Sequence, residues 1–161
     1  MNKYFYIIIG ALFLSLGIAK TARAQCTIEN KYFDAGEYLT YDLYIKFAAT
    51  IKGGHASLST QSVKYDGKDA YKMTLISESQ GLARKMFALN DTLACYMSKD
   101  LQPLAYTKDA HEGDDHTIEK LSYSYSGDNV RIRSIRHKNG TFRFDESLDF
   151  SGCTYDLMSI L

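Results

Sequence analysis

The residues with the clearest capacity for chemistry are two histidines that flank a short acidic turn, His111 and His116. Imidazole nitrogens bind metal ions, and the carboxylates between them could complete a site if the chain folded both ends onto one ion. Helix-based zinc sites need histidines at i and i+4, whereas these lie at i and i+5. Along one extended strand that spacing points the side chains to opposite faces. We therefore expect an ordinary solvated turn and no metal site, and keep His111 and His116 as the candidate ligands if one exists.

A catalytic signature is missing from the rest of the sequence. Glu37 follows Gly36 as a single carboxylate without a paired acid, which favours a structural role at the entry to a strand. The G-x-S-x-G, P-loop and C-x-x-C patterns do not occur. His55 and His137 have no nucleophile at an informative spacing. The sequence thus predicts no enzyme and no cofactor, and the alternative is a hydrolase of envelope material with histidines and carboxylates assembled from distant strands.

Three cysteines, Cys26, Cys95 and Cys153, could supply one disulfide bond and one free thiol. An oxidising compartment would permit the bond. Cys26 is close to a terminus, whereas Cys95 and Cys153 lie in segments patterned like strands. We expect a Cys95–Cys153 bridge, with unpaired buried thiols as the alternative.

The first 24 residues have the three parts of a secretory signal peptide. Lys3 supplies the positive charge, residues 4–19 are uncharged and mostly apolar, and Ala22 and Ala24 form an A-x-A-like cleavage site. The uncharged run is shorter than the roughly 20 residues of a membrane span. We expect cleavage after Ala24 and a periplasmic or outer-envelope location, with lipid attachment at Cys26 as the less favoured outcome.

The composition of residues 25–161 excludes one class of partner and favours one class of fold. Cleavage would remove three basic residues and no acid from a chain with 19 of each, so no basic excess would attract nucleic acid. The remaining segment suffices for one domain with its own core. Tyrosine, phenylalanine, serine and threonine are abundant, there is one proline and no tryptophan, and aromatic residues favour strands.

Alternation with a period of two runs through this segment. Leu39, Tyr41 and Leu43 share one face of a long first strand, and strong hairpin signals follow at Asp66-Gly67 and Asn139-Gly140. Residues 81–88 predict a short helix or crossover, and the apolar stretch 155–161 predicts a C-terminal helix. Strands at intervals of about ten residues without intervening helices indicate an antiparallel meander. The expected fold is all-β: a strongly bent meander, in the form of a curled sheet or half-barrel, with a short C-terminal helix.

Ordered motifs along the chain resemble those of an exported bacterial family, the domain of unknown function 3108. The first follows that family's F-x-x-G-E-x-L-x-Y opening, and the others come in the family's order: Tyr32-Phe33-Asp34-Ala35-Gly36-Glu37-Tyr38-Leu39-Thr40-Tyr41, Gly53-Gly54-His55-Ala56, Asn90-Asp91, Leu101-Gln102-Pro103 and Tyr155-Asp156-Leu157-x-Ser159. The resemblance implies a periplasmic all-β protein related in shape to curled sheets that carry lipoproteins and other lipids. It implies no established activity.

One departure from the family concerns the end of the chain. Family domains continue past the D-L-x-S segment with further strands, whereas this sequence stops at Leu161. We expect a single domain over residues 25–161 that lacks the family's last strands. An oligomer or a partner would then cover the open edge of the sheet.

These observations favour an exported, non-catalytic protein that binds a lipid or another apolar ligand on the concave face of its sheet. After cleavage of the signal, it would not span the membrane. The candidate ligand-binding residues are aromatic or aliphatic: Tyr41, Leu43, Phe47, Tyr71, Tyr123 and Phe142. The alternative is a structural or interaction module whose concave face is packed and whose sheet edge pairs with a partner. The sequence leaves open whether that face is filled.

Overall fold

A computed structural model describes residues 27–46 and 49–161 as one sheet of eight antiparallel strands, arranged in chain order. The strands are β1 (Tyr38–Lys46), β2 (Thr50–Tyr65), β3 (Lys68–Ser79), β4 (Leu89–Ser98), β5 (Pro103–Glu112), β6 (Asp115–Ser126), β7 (Asn129–Lys138) and β8 (Thr141–Ser151). The expected all-β antiparallel meander is confirmed. The sheet is not closed, so β1 and β8 are its edges.

Two hairpins carry the turn chemistry that the sequence predicts. Asp66 and Gly67 join β2 to β3 with φ of 49° and 77°, and Asn139 and Gly140 join β7 to β8 with φ of 52° and 73°. Positive φ at both central residues characterises the type I′ turn, whose twist matches that of the flanking strands. The Asp66-Gly67 turn sets the uninterrupted register of the β2–β3 pair, and the Asn139-Gly140 turn sets the first residue pairs of β7 and β8.

The hydrophobic core lies against one face of the sheet, here called the core face. Met73, Cys95, Met97 and Tyr106 come from three adjacent strands and contact one another. Met158 reaches them from the C-terminal segment and has no exposed surface. The centre of the core face is therefore filled by protein.

The expected C-terminal helix is wrong: residues 157–160 form a turn. Asp156 Oδ1 accepts hydrogen bonds from the backbone N–H groups of Met158 and Ser159, both at 2.9 Å. Ser159 Oγ accepts a hydrogen bond from the Asp156 N–H at 2.9 Å. These side-chain bonds compete with helix formation by satisfying the backbone locally. The one α-helix of the described residues is α1, Gly81–Met86, within the segment predicted as a short helix or crossover.

The expected Cys95–Cys153 bridge is also wrong. Cys95 is a free, buried thiol, and Cys153 is disulfide-bonded. Cys95 lies in the centre of β4 with its side chain in the core, where burial rather than cross-linking accounts for its place.

The segment that precedes β1 packs against β2 and β3. The ring of Phe33 makes an edge-to-face contact with Tyr71 at 5.1 Å between centroids. Gly36, with φ of 100°, donates its N–H to Thr60 O at 2.7 Å. Phe33 and Gly36 of the F-x-x-G-E motif thus dock the chain onto β2 and β3.

The signal segment, Cys26 and Phe47 lie outside the described residues. Within the part that is described, no helix has the length and apolar character needed to cross a membrane.

Candidate functional site

A β-bulge between the first two strands shapes the candidate site. Leu43 pairs with Gly54 while Tyr44 pairs with Lys52, so Gly53 is an extra residue in β2. Because of this extra residue, Ile51 pairs with Ile45, and both side chains lie on the same face as Leu43. One edge of the core face therefore carries a compact group of aliphatic side chains.

Two adjacent glycines permit this packing. A Cβ atom on Gly54 would lie 2.1 Å from Glu78 O, a backbone atom that cannot move aside easily. A Cβ atom on Gly53 would lie 2.8 Å from the Ile45 side chain. The glycines let β3 and Ile45 approach β2 closely, which explains the two glycines of the Gly53-Gly54-His55-Ala56 motif.

Helix α1 is anchored to the bulge. The Gln80 N–H donates to Gly53 O at 2.8 Å, and the Gln80 side chain hydrogen-bonds His55 Nδ1 at 2.7 Å. Phe87 N–H closes the helix by donating to Ala83 O at 2.8 Å. The extra residue in β2 thus supplies the carbonyl that positions the start of the helix.

A cavity of about 640 Å³ lies between α1 and the aliphatic end of the sheet. Its walls come from β1 and β2 around the bulge, from the end of β3, from α1 and from the start of β4. The lining residues are Leu43, Ile45, Ala49, Ile51, Gly53, Gly54, Glu78, Ser79, Leu82, Ala83, Met86, Phe87 and Leu89. Glu78 is the only ionisable side chain among them. The volume is within the range of small-molecule sites, and the lining is almost entirely apolar.

Several of the apolar walls remain open to solvent. Leu82 is 62% exposed, Met86 78% and Phe87 54%, and across the cavity Ile45 is 49% exposed. Scattered exposed apolar residues are normal, but here they converge on one concave surface. We call this cavity the α1 cavity. A lining of this kind can remove an apolar group from water, but it offers few groups for directed hydrogen bonds.

The expected ligand-binding residues divide between this cavity and other parts of the sheet. Leu43 lines the α1 cavity, and Tyr41 lies two residues away on the same face, 45% exposed. Tyr71 packs between Phe33 and the ammonium group of Lys99, which lies 3.7 Å from its ring centroid. These residues do not form one continuous site.

Tyr123 belongs to the covered centre of the core face. Its hydroxyl donates to Asp156 Oδ2 at 3.1 Å, beneath the C-terminal turn. Burial first, and the Asp156 carboxylate second, raise the pKa of Tyr123 far above its ordinary value. The phenol therefore stays protonated and serves as a donor that holds the turn.

Phe142 lies on the opposite face of the sheet because of a second bulge. Arg136 pairs with Phe144 but His137 pairs with Phe142, so Arg143 is an extra residue in β8. Strict alternation would have given Phe142 and Phe144 the same face. Phe142 instead makes an edge-to-face contact with His137, with 5.6 Å between the ring centroids.

The buried thiol of the core is chemically quiet. Burial first, and the nearby Asp156 carboxylate second, raise the pKa of Cys95 to about 12. Since the thiolate is the nucleophilic form, Cys95 has little reactivity at neutral pH. Cys95 is thus a packing residue.

The two candidate metal ligands are brought together on the face opposite the core. His111 and His116 are direct partners across the β5–β6 hairpin, and their rings stack at 3.9 Å between centroids. Asp109, which the sequence analysis did not single out, lies beside them: its Oδ1 is 2.8 Å from His116 Nε2. The i, i+2 spacing of Asp109 and His111 on one strand was the signal that could have found it.

The helical wall of the α1 cavity was only partly predictable. Leu82, Met86 and Phe87 stand out in the sequence as apolar positions of a short helix, but the sequence does not tell where that helix packs. The bulge at Gly53 decides that position.

Comparison with known protein families gives a match over most of the chain. A family model described as "Protein of unknown function (DUF3108)" matches residues 40–161, which is most of the chain. No curated protein and no solved structure is significantly similar. The family resemblance drawn from the ordered motifs is confirmed.

Proposed function

The chain belongs to the family of proteins of unknown function DUF3108, and on that premise we propose that it is an exported, non-catalytic envelope protein that holds the apolar part of a lipid or acylated ligand in the α1 cavity. The observation that carries the proposal is the cavity itself, with its apolar lining and its exposed helical wall. The N-terminal signal pattern supports export to the periplasm or outer envelope.

The ligand class follows from the lining of the cavity. Leu43, Ile51, Leu82 and Met86 offer methyl and methylene groups, while Glu78 alone is ionisable. Each buried methylene of an acyl chain contributes about 0.8 kcal/mol. A chain of several methylenes can therefore be held without directed hydrogen bonds, and its polar head would stay at the open side.

The filled centre of the core face limits where such a ligand lies. Met158 and Tyr106 occupy the middle of that face, so the α1 cavity at the β1–β2 end is the favoured position. The proposal includes a sheet that curls toward its core face. Register shifts in the β1–β2, β4–β5 and β7–β8 pairs support this curvature, because bulges bend strands.

A binding titration tests the proposal. A fluorescent fatty acid bound to the protein is displaced by saturated fatty acids of increasing length, from octanoic to palmitic acid. We expect affinity to rise about fourfold per added methylene until the cavity is full. Affinity independent of chain length would contradict burial of an acyl chain.

Met86→Glu is the informative variant, because Met86 lines the cavity and is 78% exposed, so that a charge there spares the fold. It should weaken binding at least about tenfold, since an acyl chain would then desolvate a carboxylate. Leu157→Glu is the matched control, at a residue 58% exposed on the C-terminal turn, and should bind like the unmodified protein. Equal loss in both variants would contradict the assignment of the site.

A second candidate function rests on the first strand. All nine residues of β1 are exposed, and β1 is an edge of the sheet. An uncovered edge can pair with a strand of a partner or of a second copy. This candidate predicts a concentration-dependent oligomer or a captured strand, with no dependence on acyl-chain length.

A further inference from the structure

We propose that Asp109, His111 and His116 form a binding site for a divalent transition-metal cation such as Zn²⁺. One ligand atom from each side chain lies within 4.8 Å of the other two. The group lies on the face opposite the core, and therefore on the other side of the sheet from the α1 cavity.

The hairpin creates this arrangement from residues that are distant on a single strand. Gly113, with φ of 63°, and Asp114 form a two-residue turn between β5 and β6. The turn sets His111 directly opposite His116 in the antiparallel register. The rule that residues i and i+5 point to opposite faces fails here, because the chain reverses between the two histidines. Asp109 lies two residues before His111 on the same face and therefore sits diagonally across from His116.

The ligand set matches the preferences of zinc and its neighbours. Two imidazoles and one carboxylate form a common three-residue set, and the fourth tetrahedral position is then open to water or another ligand. Ligand atoms around one zinc ion lie about 3.3 Å apart, given metal–ligand bonds of about 2.0 Å. Asp109 Oδ1 is already 2.8 Å from His116 Nε2 and 3.9 Å from His111 Nδ1. Small side-chain rotations would close the site around an ion.

The surroundings leave the site open to a cation from solution. The Asp109 and His111 side chains are 57% and 56% exposed, and that of His116 is 36% exposed. Two neighbouring ion pairs involve other residues: Lys108 with Glu112 at 3.0 Å, and Lys138 of β7 with Asp115 at 2.8 Å. Asn139 accepts the His116 N–H through its Oδ1 at 2.7 Å, which fixes the backbone of one ligand.

Zinc titration of the untagged protein by calorimetry tests the site. We expect one Zn²⁺ per chain, and at least about a tenfold loss of affinity in His111→Ala and in His116→Ala, since even loss of an outer partner of a metal ligand costs that much. His55→Ala is the matched control, because His55 hydrogen-bonds Gln80 and lies outside the group. Mg²⁺ should not compete, because it prefers oxygen ligands.

A second measurement on the unmodified protein avoids any effect of the variants on folding. In NMR spectra of the imidazole groups, Zn²⁺ should shift the His111 and His116 signals and leave those of His55 unchanged. Absence of zinc binding, unchanged affinity in both variants, or shifts confined to other histidines would overturn the assignment.

Discussion

At Asp91 the fold buries a carboxylate that it only partly satisfies. The residue lies in β4 with 9% of its surface exposed, and its Oδ1 has no hydrogen-bond partner among the described residues. Desolvation first, and repulsion from Glu112 second, raise the pKa of Asp91 above that of an ordinary aspartate. The charged form is therefore less favoured in the folded chain than in the unfolded chain.

This shift predicts a stabilising substitution. Because the folded pKa is raised, the contribution of Asp91 to stability is greatest at pH below its unfolded value and is lost as the pH rises through the folded value. We expect Asp91→Asn to be more stable than the unmodified protein at neutral pH, with the difference shrinking as the pH falls toward about 4. Urea denaturation of the two proteins at several pH values measures the difference in stability and its dependence on pH.

Asp69→Asn is a control of opposite sign. A hydrogen bond from Lys64 at 2.9 Å holds the pKa of Asp69 below its ordinary value, so its contribution is present above the unfolded value and is lost in acid. The Asp69 variant should be slightly less stable at neutral pH. If Asp91→Asn behaved in the same way, the Asp91 carboxylate would be stabilising and our account of its burial would be contradicted.

At the scale of the elements, the C-terminal turn contributes one fully buried side chain, Met158, to the core. Its Asp156–Ser159 hydrogen bonds position Met158, whose side chain belongs to the same buried cluster as residues of β3, β4 and β5. The D-L-x-S motif therefore covers the centre of the core face and fills it with the Met158 side chain.

Met158→Ala tests this role of the turn. Loss of a fully buried methionine should lower the free energy of unfolding by about 2–5 kcal/mol, through lost burial and the cavity left behind. Leu157→Ala, one residue away and 58% exposed, should stay within about 0.5 kcal/mol of the unmodified protein. Denaturant unfolding compares them, and equal effects would show that the turn does not stabilise the sheet.

The sequence predicts the strands and two hairpin turns well, because alternation and positive-φ turn residues are local properties. It does not predict the bulges, which depend on how two strands meet. The bulge at Arg143 moves Phe142 to the other face, and the bulge at Gly53 determines where α1 packs. Likewise, the apolar pattern of 155–161 resembles a helix, but Asp156 and Ser159 bond the backbone into a turn instead.

At the scale of the whole molecule, the sheet has a packed centre and an open apolar end. Met73, Met97 and Met158 fill the centre, whereas Leu43, Leu82 and Met86 surround the α1 cavity. A ligand of the proposed class would therefore bind at one end of the core face and leave the centre undisturbed. The Asp109–His111–His116 group lies on the other face of the sheet.

Methyl NMR with a spin-labelled stearic acid tests the central claim most directly, because the label broadens only nearby signals. The account predicts strong broadening of the Leu43, Leu82 and Met86 methyl groups on addition of the labelled acid, with the Met97 and Met158 signals still sharp. Absence of broadening at saturating ligand, or broadening centred on Met97 and Met158, would contradict the account.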